Sequence, residues 1–214
     1  MTDIILIRHG ETDWNRVRRM QGHLDIDLNA QGRRQAQALA QALAAEPPAV
    51  IYASDLQRAR DTAQAIAEHH QITVQIDPAL RERCYGAFEG LMYDEISKAY
   101  PEAFAQWRAR EPDARFPAGE RQAETLTEFS QRAVAAVTRL AQRHAGQKII
   151  IVTHGGVLDC LYRAAENIAL TEMREVPMKN AAINRLRWTG LGLQLTHWSQ
   201  VAHLDAAALD EIDR

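Results

Sequence analysis

Apolar positions along the chain fall into two patterns. Short, almost unbroken apolar runs occupy residues 3–8, 49–54, 72–76 and 148–153. Runs of that length read as strands, and their continuity suits strands covered on both faces. Between them, apolar residues recur at helical spacing. In residues 29–46, Ala36, Leu39, Ala40 and Leu43 share one face; Asn29 is the expected N-cap, and Pro47 and Pro48 form the stop. Residues 55–70 and 120–144 predict two further helices, a short helical stretch starts at Tyr93, and another helix starts near Gly156. The stretches AINRLRW and LQLTHW alternate on either side of TGLG, which predicts a closing hairpin. Residues 107–119, punctuated by Pro112, Pro117 and Gly119, are the most irregular part, and the tail from Ala206 is small, acidic and expected to fray.

Strands alternating with helices predict an α/β fold, a three-layer αβα sandwich around a mainly parallel central sheet. The 214 residues are 46% apolar, enough for one sizeable core, and no linker divides them. The expectation is a single domain over 1–214, with residues 91–119 as a cap that sets specificity. Lys and Arg number 25 against 28 Asp and Glu, so no nucleic-acid or membrane partner is expected. An anionic ligand would need local positive charge. The two cysteines, Cys84 and Cys160, form no CxxC pair and no disulfide framework, which suits a reducing cytoplasm. Neither a signal peptide nor a membrane-spanning run is expected. Homodimerisation is left open.

Ligands of open α/β sheets bind beyond the carboxyl ends of the strands. The first apolar run ends in Arg8-His9-Gly10, the second leads to SDLQRAR, the third to LRERCYG and the fourth to His154-Gly155-Gly156. Histidines, arginines and a carboxylate therefore gather at the strand exits. Guanidinium pairs clamp a tetrahedral dianion, and a neutral histidine is a competent nucleophile. Nearby arginines and a second histidine keep it neutral by like-charge repulsion. A carboxylic acid beside a phosphate dianion is favoured in its protonated form and suits protonation of a leaving alcohol, and the helix after HGG adds N–H donors. Together these point to phosphoryl transfer through a phosphohistidine. A competing metal site of His9, His154 and Glu82 lacks HxxxH or HExxH spacing and would sit beside repelling arginines.

LIRHGETDWN, followed in order by QGHLDIDLNAQGRRQA, SDLQRARDTA, LRERCYGAFEG and VTHGG, resembles the histidine phosphatase superfamily, in its phosphoglycerate-mutase-like branch, over residues 3 to 188. The resemblance implies His9 as the phosphorylated nucleophile, with Arg8, Arg58 and His154 holding the transferring group. It implies Glu82 as proton donor and then as the base that activates water, with Glu89 as the alternative acid. Asn15, Gln21, Gly22 and Gly155 become phosphate contacts, and no metal is implied. His9 is further expected to donate one ring N–H to a backbone carbonyl and attack with the other nitrogen.

The machinery alone does not choose the acceptor. Water makes a phosphatase of small phosphorylated metabolites, with no cofactor. Return to a bound hydroxy acid makes a phosphoglycerate mutase, primed by 2,3-bisphosphoglycerate, and needs extra cations over the site. Lys98, Trp107, Arg108 and Arg115 in the cap are the candidate specificity residues. The chain is short for such a mutase and lacks the adjacent-arginine pattern those enzymes carry; PAGERQAET resembles the phosphatases, although Arg121 stands where they often have serine. The phosphatase reading is preferred. A non-catalytic phosphate-binding module is the third reading, disfavoured because nucleophile, acid and both clamps are all present.

Overall fold

The computed structural model describes residues 1–204; the tail from Ala206 lies outside the described residues. In chain order the elements are β1 (Thr2–Arg8), α1 (Asp13–Arg16), α2 (Ala30–Ala42), β2 (Val50–Ala53), α3 (Gln57–His70), β3 (Val74–Ile76), α4 (Tyr93–Ala99), α5 (Pro101–Arg108), α6 (Leu126–Arg143), β4 (Lys148–Thr153), α7 (Gly155–Glu166), β5 (Ile183–Trp188) and β6 (Leu193–Gln200). The strand order is β3-β2-β4-β1-β5-β6. The first four of these strands pair in parallel, while β5 and β6 add an antiparallel edge, so the sheet is mixed.

The central strands β1, β2 and β4 read as apolar because both faces are covered. Successive side chains of a strand point to opposite faces. Ile4, Leu6, Ile149 and Ile151 pack with Phe129, Val137, Leu140, Leu158 and Leu161 of α6 and α7. Ile5, Ile7, Ile150 and Val152 pack on the other face with Leu39, Leu43, Ala59 and Ile66 from the α2 and α3 side. The expected three-layer α/β arrangement is what forms. A third apolar cluster, with Phe88, Ile96, Trp107 and Phe116, supports the 91–119 segment; the Phe88 and Phe116 rings stack 4.5 Å apart.

Several boundaries differ from those the pattern predicts. The long helix starts at Leu126, not 120. Thr125 Oγ1 accepts from Glu128 N at 3.1 Å and Glu128 reaches back to Thr125 N at 3.0 Å, a capping box whose Thr-x-x-Glu spacing is visible in the sequence. Before it, Glu124 is held outside the helix by Arg132 and Cys84 N. The helix predicted over 29–46 stops at Ala42, while Asn29 caps it as expected through Gly32 N at 2.8 Å. Residues 101–108 form a helix started by Pro101, so the irregular stretch is shorter than the punctuation suggests.

One close approach ties α2 to the loop after β1. A Cβ on Gly10 would sit 2.5 Å from the Gly32 carbonyl oxygen, and a Cβ on Gly32 would overlap the Glu11 carbonyl. Both obstacles are backbone and cannot rotate away. Gly32→Ala is expected to lower stability by about 3 kcal/mol through forced overpacking, measured by urea unfolding.

Candidate active site

The parallel register of β1 and β4 sets Arg8 beside Thr153, so the next residue of each strand, His9 and His154, leaves the sheet at the same level. His9 N donates to Thr153 O at 2.9 Å. The two imidazoles meet edge to face with centroids 5.1 Å apart. Arg8, His9, Gln21, Gly22, Arg58 and Glu82 line one cavity, with Asn15 on its wall. His154 stands behind His9, and Gly155 opens α7; neither lines that cavity directly.

Each side chain is held by contacts that fix its direction. His9 Nδ1 lies 2.7 Å from Gly10 O. A carbonyl only accepts, so Nδ1 carries the proton and Nε2 keeps its lone pair. Arg8 Nη1 donates to Met178 O at 2.6 Å. Arg58 donates to Gly22 O and Leu24 O, each at 2.8 Å, and is buried at 1% exposure. Asp55, at helical spacing from it, pairs with Arg81. Asn15 Oδ1 is committed to the Thr12 backbone and hydroxyl, which presents the amide N–H₂ end as its donor. Glu82 accepts from Arg83 N at 2.8 Å and from Gly156 N at 2.9 Å. Gly156 has no room for a side chain, because a Cβ would meet that carboxylate.

Electrostatics keep both imidazoles neutral. Burial pushes the His9 pKa well below the ordinary histidine value, and the Arg58 and Arg8 charges push it further; the bond to Gly10 O opposes them only in part. Burial, then Arg58, then His9 itself act on His154 in the same direction. Both His154 ring nitrogens are buried without a hydrogen-bond partner, as is Gln21 Oε1. Such groups are costly to leave unmet and suit a polar ligand arriving from the cavity.

The sign of the pH dependence follows. Below about pH 6.5 the unfolded chain binds protons that native His9 and His154 refuse, so stability falls as pH falls through that range. The pair is expected to cost about 2 kcal/mol between pH 6.5 and 5.5. Urea unfolding at the two pH values measures it together with the same-sign contributions of His23, His70 and His203, whose pKa values burial also lowers. The carboxylates held low by arginine, Glu46 at about 2 among them, titrate below that window and do not confuse the slope.

Some sequence-predicted residues lie elsewhere. Lys98 is exposed and faces Asp94 one helical turn away at 3.8 Å. Arg115 binds Glu128 and Ala123 O on the surface. Neither lines the cavity; each takes the carboxylate or carbonyl nearest to it. Trp107 and Arg108 line a second cavity beside the first. Glu89, the alternative acid, accepts from His23 N and Tyr85 N and so ties two loops together. Cys84 and Cys160 are free and buried, which pushes both thiols up, Cys160 to about 12. Among the described residues no group of His, Cys, Asp and Glu could hold a metal ion, and no helix is long and apolar enough to cross a membrane.

The sequence reading missed other residues here. Arg18 and Tyr85 line the cavity and Trp14 is on its wall, while Tyr93 joins them from the expected cap segment. The basic pair Arg18-Arg19 falls between Asn15 and Gln21, a position that could have flagged it. Asn180 Nδ2 donates to His9 O at 2.9 Å from 171 residues away. His23 Nε2 lies 2.8 Å from Glu82 O, and Arg132 also donates to that carbonyl at 3.1 Å. Nothing local in the sequence marks those three.

The profile of the histidine phosphatase superfamily (branch 1) matches residues 4–201, nearly the whole described chain. The chain belongs to that superfamily. Among its relatives, Phosphoglycerate mutase-like protein 4 of Arabidopsis thaliana is 40% identical over 95% of this chain and 87% of its own. The Metal-independent phosphoserine phosphatase of the same plant is 35% identical over 96% of this chain and 84% of its own. The solved structure of Bacillus stearothermophilus YhfR is 35% identical and superposes with a TM-score of 0.87, covering 95% of this chain and 99% of that one. The fold of this histidine phosphatase is thus that of its solved relatives, and the resemblance read from the five motifs holds at the level of the whole chain.

Proposed function

We propose that the chain is a phosphomonoesterase that hydrolyses a small phosphorylated metabolite through a phosphohistidine on His9. One observation carries the reading: His9 Nδ1 is tied to Gly10 O, which leaves Nε2 as the lone pair on a ring that burial and arginines keep neutral, within a cavity shared with Arg8, Arg58 and Glu82. Nε2 attacks phosphorus in line; the N–P bond forms as the P–O bond to the alcohol breaks. Protonated Glu82 delivers its proton to the leaving oxygen and becomes a carboxylate. That carboxylate then takes a proton from water as the water oxygen attacks phosphorus. The N–P bond breaks, phosphate leaves, and His9 returns to its starting tautomer. Arg8 and Arg58 stabilise the charge on the transferring oxygens, Asn15, Gln21 and Gly22 orient them, and His154 and Gly155 support the site from just outside the cavity lining. None of these steps requires a metal or an organic cofactor, in keeping with the metal-independent phosphoserine phosphatase among the relatives.

The relatives carry both mutase and phosphatase names. Lys98 and Arg115 sit in surface ion pairs, so two of the candidate cap cations face away, while Arg18 and Arg19 stay beside the phosphate cavity; the acceptor is therefore decided by assay. The test supplies 3-phosphoglycerate with a trace of 2,3-bisphosphoglycerate, alongside a panel of other phosphate esters. Phosphate and 2-phosphoglycerate are followed together. Phosphate release from at least one ester without isomerisation is expected. Rapid 2-phosphoglycerate formation with little phosphate release would establish the mutase instead.

A further inference from the structure

The short helix α1 ends on a strained residue. Its last turn closes as a Schellman motif: Arg19 N donates to Trp14 O at 3.0 Å and Arg18 N donates to Asn15 O at 3.4 Å. The left-handed position of that motif belongs to Arg18, at φ 56°. Glycine is the usual occupant, because a Cβ there crowds the backbone. The turn cannot relax by moving away. Met20 N donates to Leu91 O and Gly90 N to Met20 O, each at 2.9 Å, and Arg19 bridges to Met92. An arginine is therefore held where the backbone favours glycine, and strain of this kind gathers at functional sites.

Arg18 lines the cavity that contains His9. The other guanidinium groups of that lining are already engaged. Arg8 donates to Met178 O, and Arg58 to Gly22 O and Leu24 O. Arg19 donates to Gly90 O at 2.6 Å and lies 5.5 Å over the Trp14 ring. The Arg18 guanidinium makes no hydrogen bond or ion pair among the described residues, and the residue is exposed. Arg16 differs on both counts: it meets Glu11 at 4.0 Å and Asp13 at 3.8 Å, and it does not line the cavity. A cation at a helix C-terminus is favourable in itself, but Arg16 already supplies one in the last turn of α1. Arg18 is thus a solvated cation on a fixed stem at the rim of the cavity.

We infer that Arg18 is the capture residue of this cavity: it draws a phosphate dianion from solution toward Arg8 and Arg58 and takes no part in the bond changes at His9. The inference rests on reading the cavity as the phosphoryl site. Two consequences separate this role from that of the buried arginines. A solvated cation acts through water, so its pull fades with salt; the Debye length is about 30 Å at 0.01 M and about 3 Å at 1 M. Function and stability also oppose each other at this position, because glycine relieves the strain and removes the charge together.

Calorimetric titration with inorganic phosphate at pH 7.5 compares the wild type with Arg18→Ala, Arg18→Gly and Arg18→Lys, in about 0.01 M and about 1 M sodium chloride. In low salt the Ala and Gly variants are expected to bind at least about fivefold more weakly, and Lys to recover most of the loss. In high salt all four should agree within about twofold. Arg18→Gly should melt about 2–4 °C above Arg18→Ala, since only glycine relieves the strain. Arg16→Ala removes the same unit of charge outside the cavity and should change low-salt affinity less than about twofold. With p-nitrophenyl phosphate, Arg18→Ala should lower kcat/KM in step with affinity and leave kcat within about threefold. Low-salt affinity in Arg18→Ala equal to wild type overturns the inference alone, as does a loss that persists undiminished in 1 M salt or a tenfold fall in kcat. A charge that served only the helix end would lower the melting temperature on removal and leave phosphate affinity intact, which also overturns it. A wild-type protein that binds no phosphate overturns both the inference and the reading of the cavity beneath it.

Discussion

His9→Ala is expected to lower kcat by about 10⁵-fold, the scale seen when a covalent nucleophile is removed, since no other group stands in its place. Cys84 and Cys160 cannot substitute, because burial holds both thiols protonated. Binding should survive far better than turnover. Arg8 and Arg58 keep their own backbone anchors at Met178, Gly22 and Leu24, so affinity for inorganic phosphate should stay within about tenfold of wild type. The variant should also lose part of the acid destabilisation below pH 6.5, because one of the buried neutral rings is gone while His154, His23, His70 and His203 remain. Steady-state assays, phosphate titration and urea unfolding on one preparation separate these effects. Wild-type turnover in His9→Ala would refute the covalent route.

Glu82→Gln is expected to split the reaction into its two halves. The amide cannot deliver a proton, so esters with alkyl leaving groups should be cleaved about 10²- to 10⁴-fold more slowly. p-Nitrophenyl phosphate leaves as a stable phenolate without that proton, and its first step should stay fast. The second step still needs a base for water and should slow for every substrate alike. The structural cost of the change is real, since Glu82 accepts from Arg83 N and Gly156 N and an amide nitrogen would face one of those donors. A purely structural defect would slow both ester classes equally. The leaving-group dependence of the first step therefore distinguishes chemistry from misplacement, and stopped-flow release of nitrophenolate measures it.

Much of the site was legible because it depends on where strands end. The apolar runs that became β1 and β4 stop at Arg8-His9 and at His154, and their parallel register brings the two rings to the same level. Asn29 as a cap, the α3 position of Arg58 and the loop carrying Glu82 follow from local spacing. What was missed depends on contacts between distant segments. Asn180 steadies the His9 carbonyl, and His23 with Arg132 steadies that of Glu82, through bonds that no local periodicity encodes. Lys98 and Arg115 were expected over the site on charge alone, yet Asp94 and Glu128 lie closer and capture them. The start of α6 was misplaced because residues 120–125 have helical composition, while the Thr125–Glu128 box sets the real start. The Gly10–Gly32 approach has no sequence signal beyond two glycines.

The central claim is that His9 carries the phosphoryl group. Its most direct test is a burst experiment on Glu82→Gln with p-nitrophenyl phosphate, quenched in alkali, where phosphohistidine survives, and followed by peptide mass spectrometry. The account predicts one nitrophenolate released per active site in the burst, with one phosphoryl group on the peptide containing His9 and none on that peptide from His9→Ala. A phosphoryl group on any other residue would contradict it, as would steady turnover by Glu82→Gln without a burst or a labelled peptide.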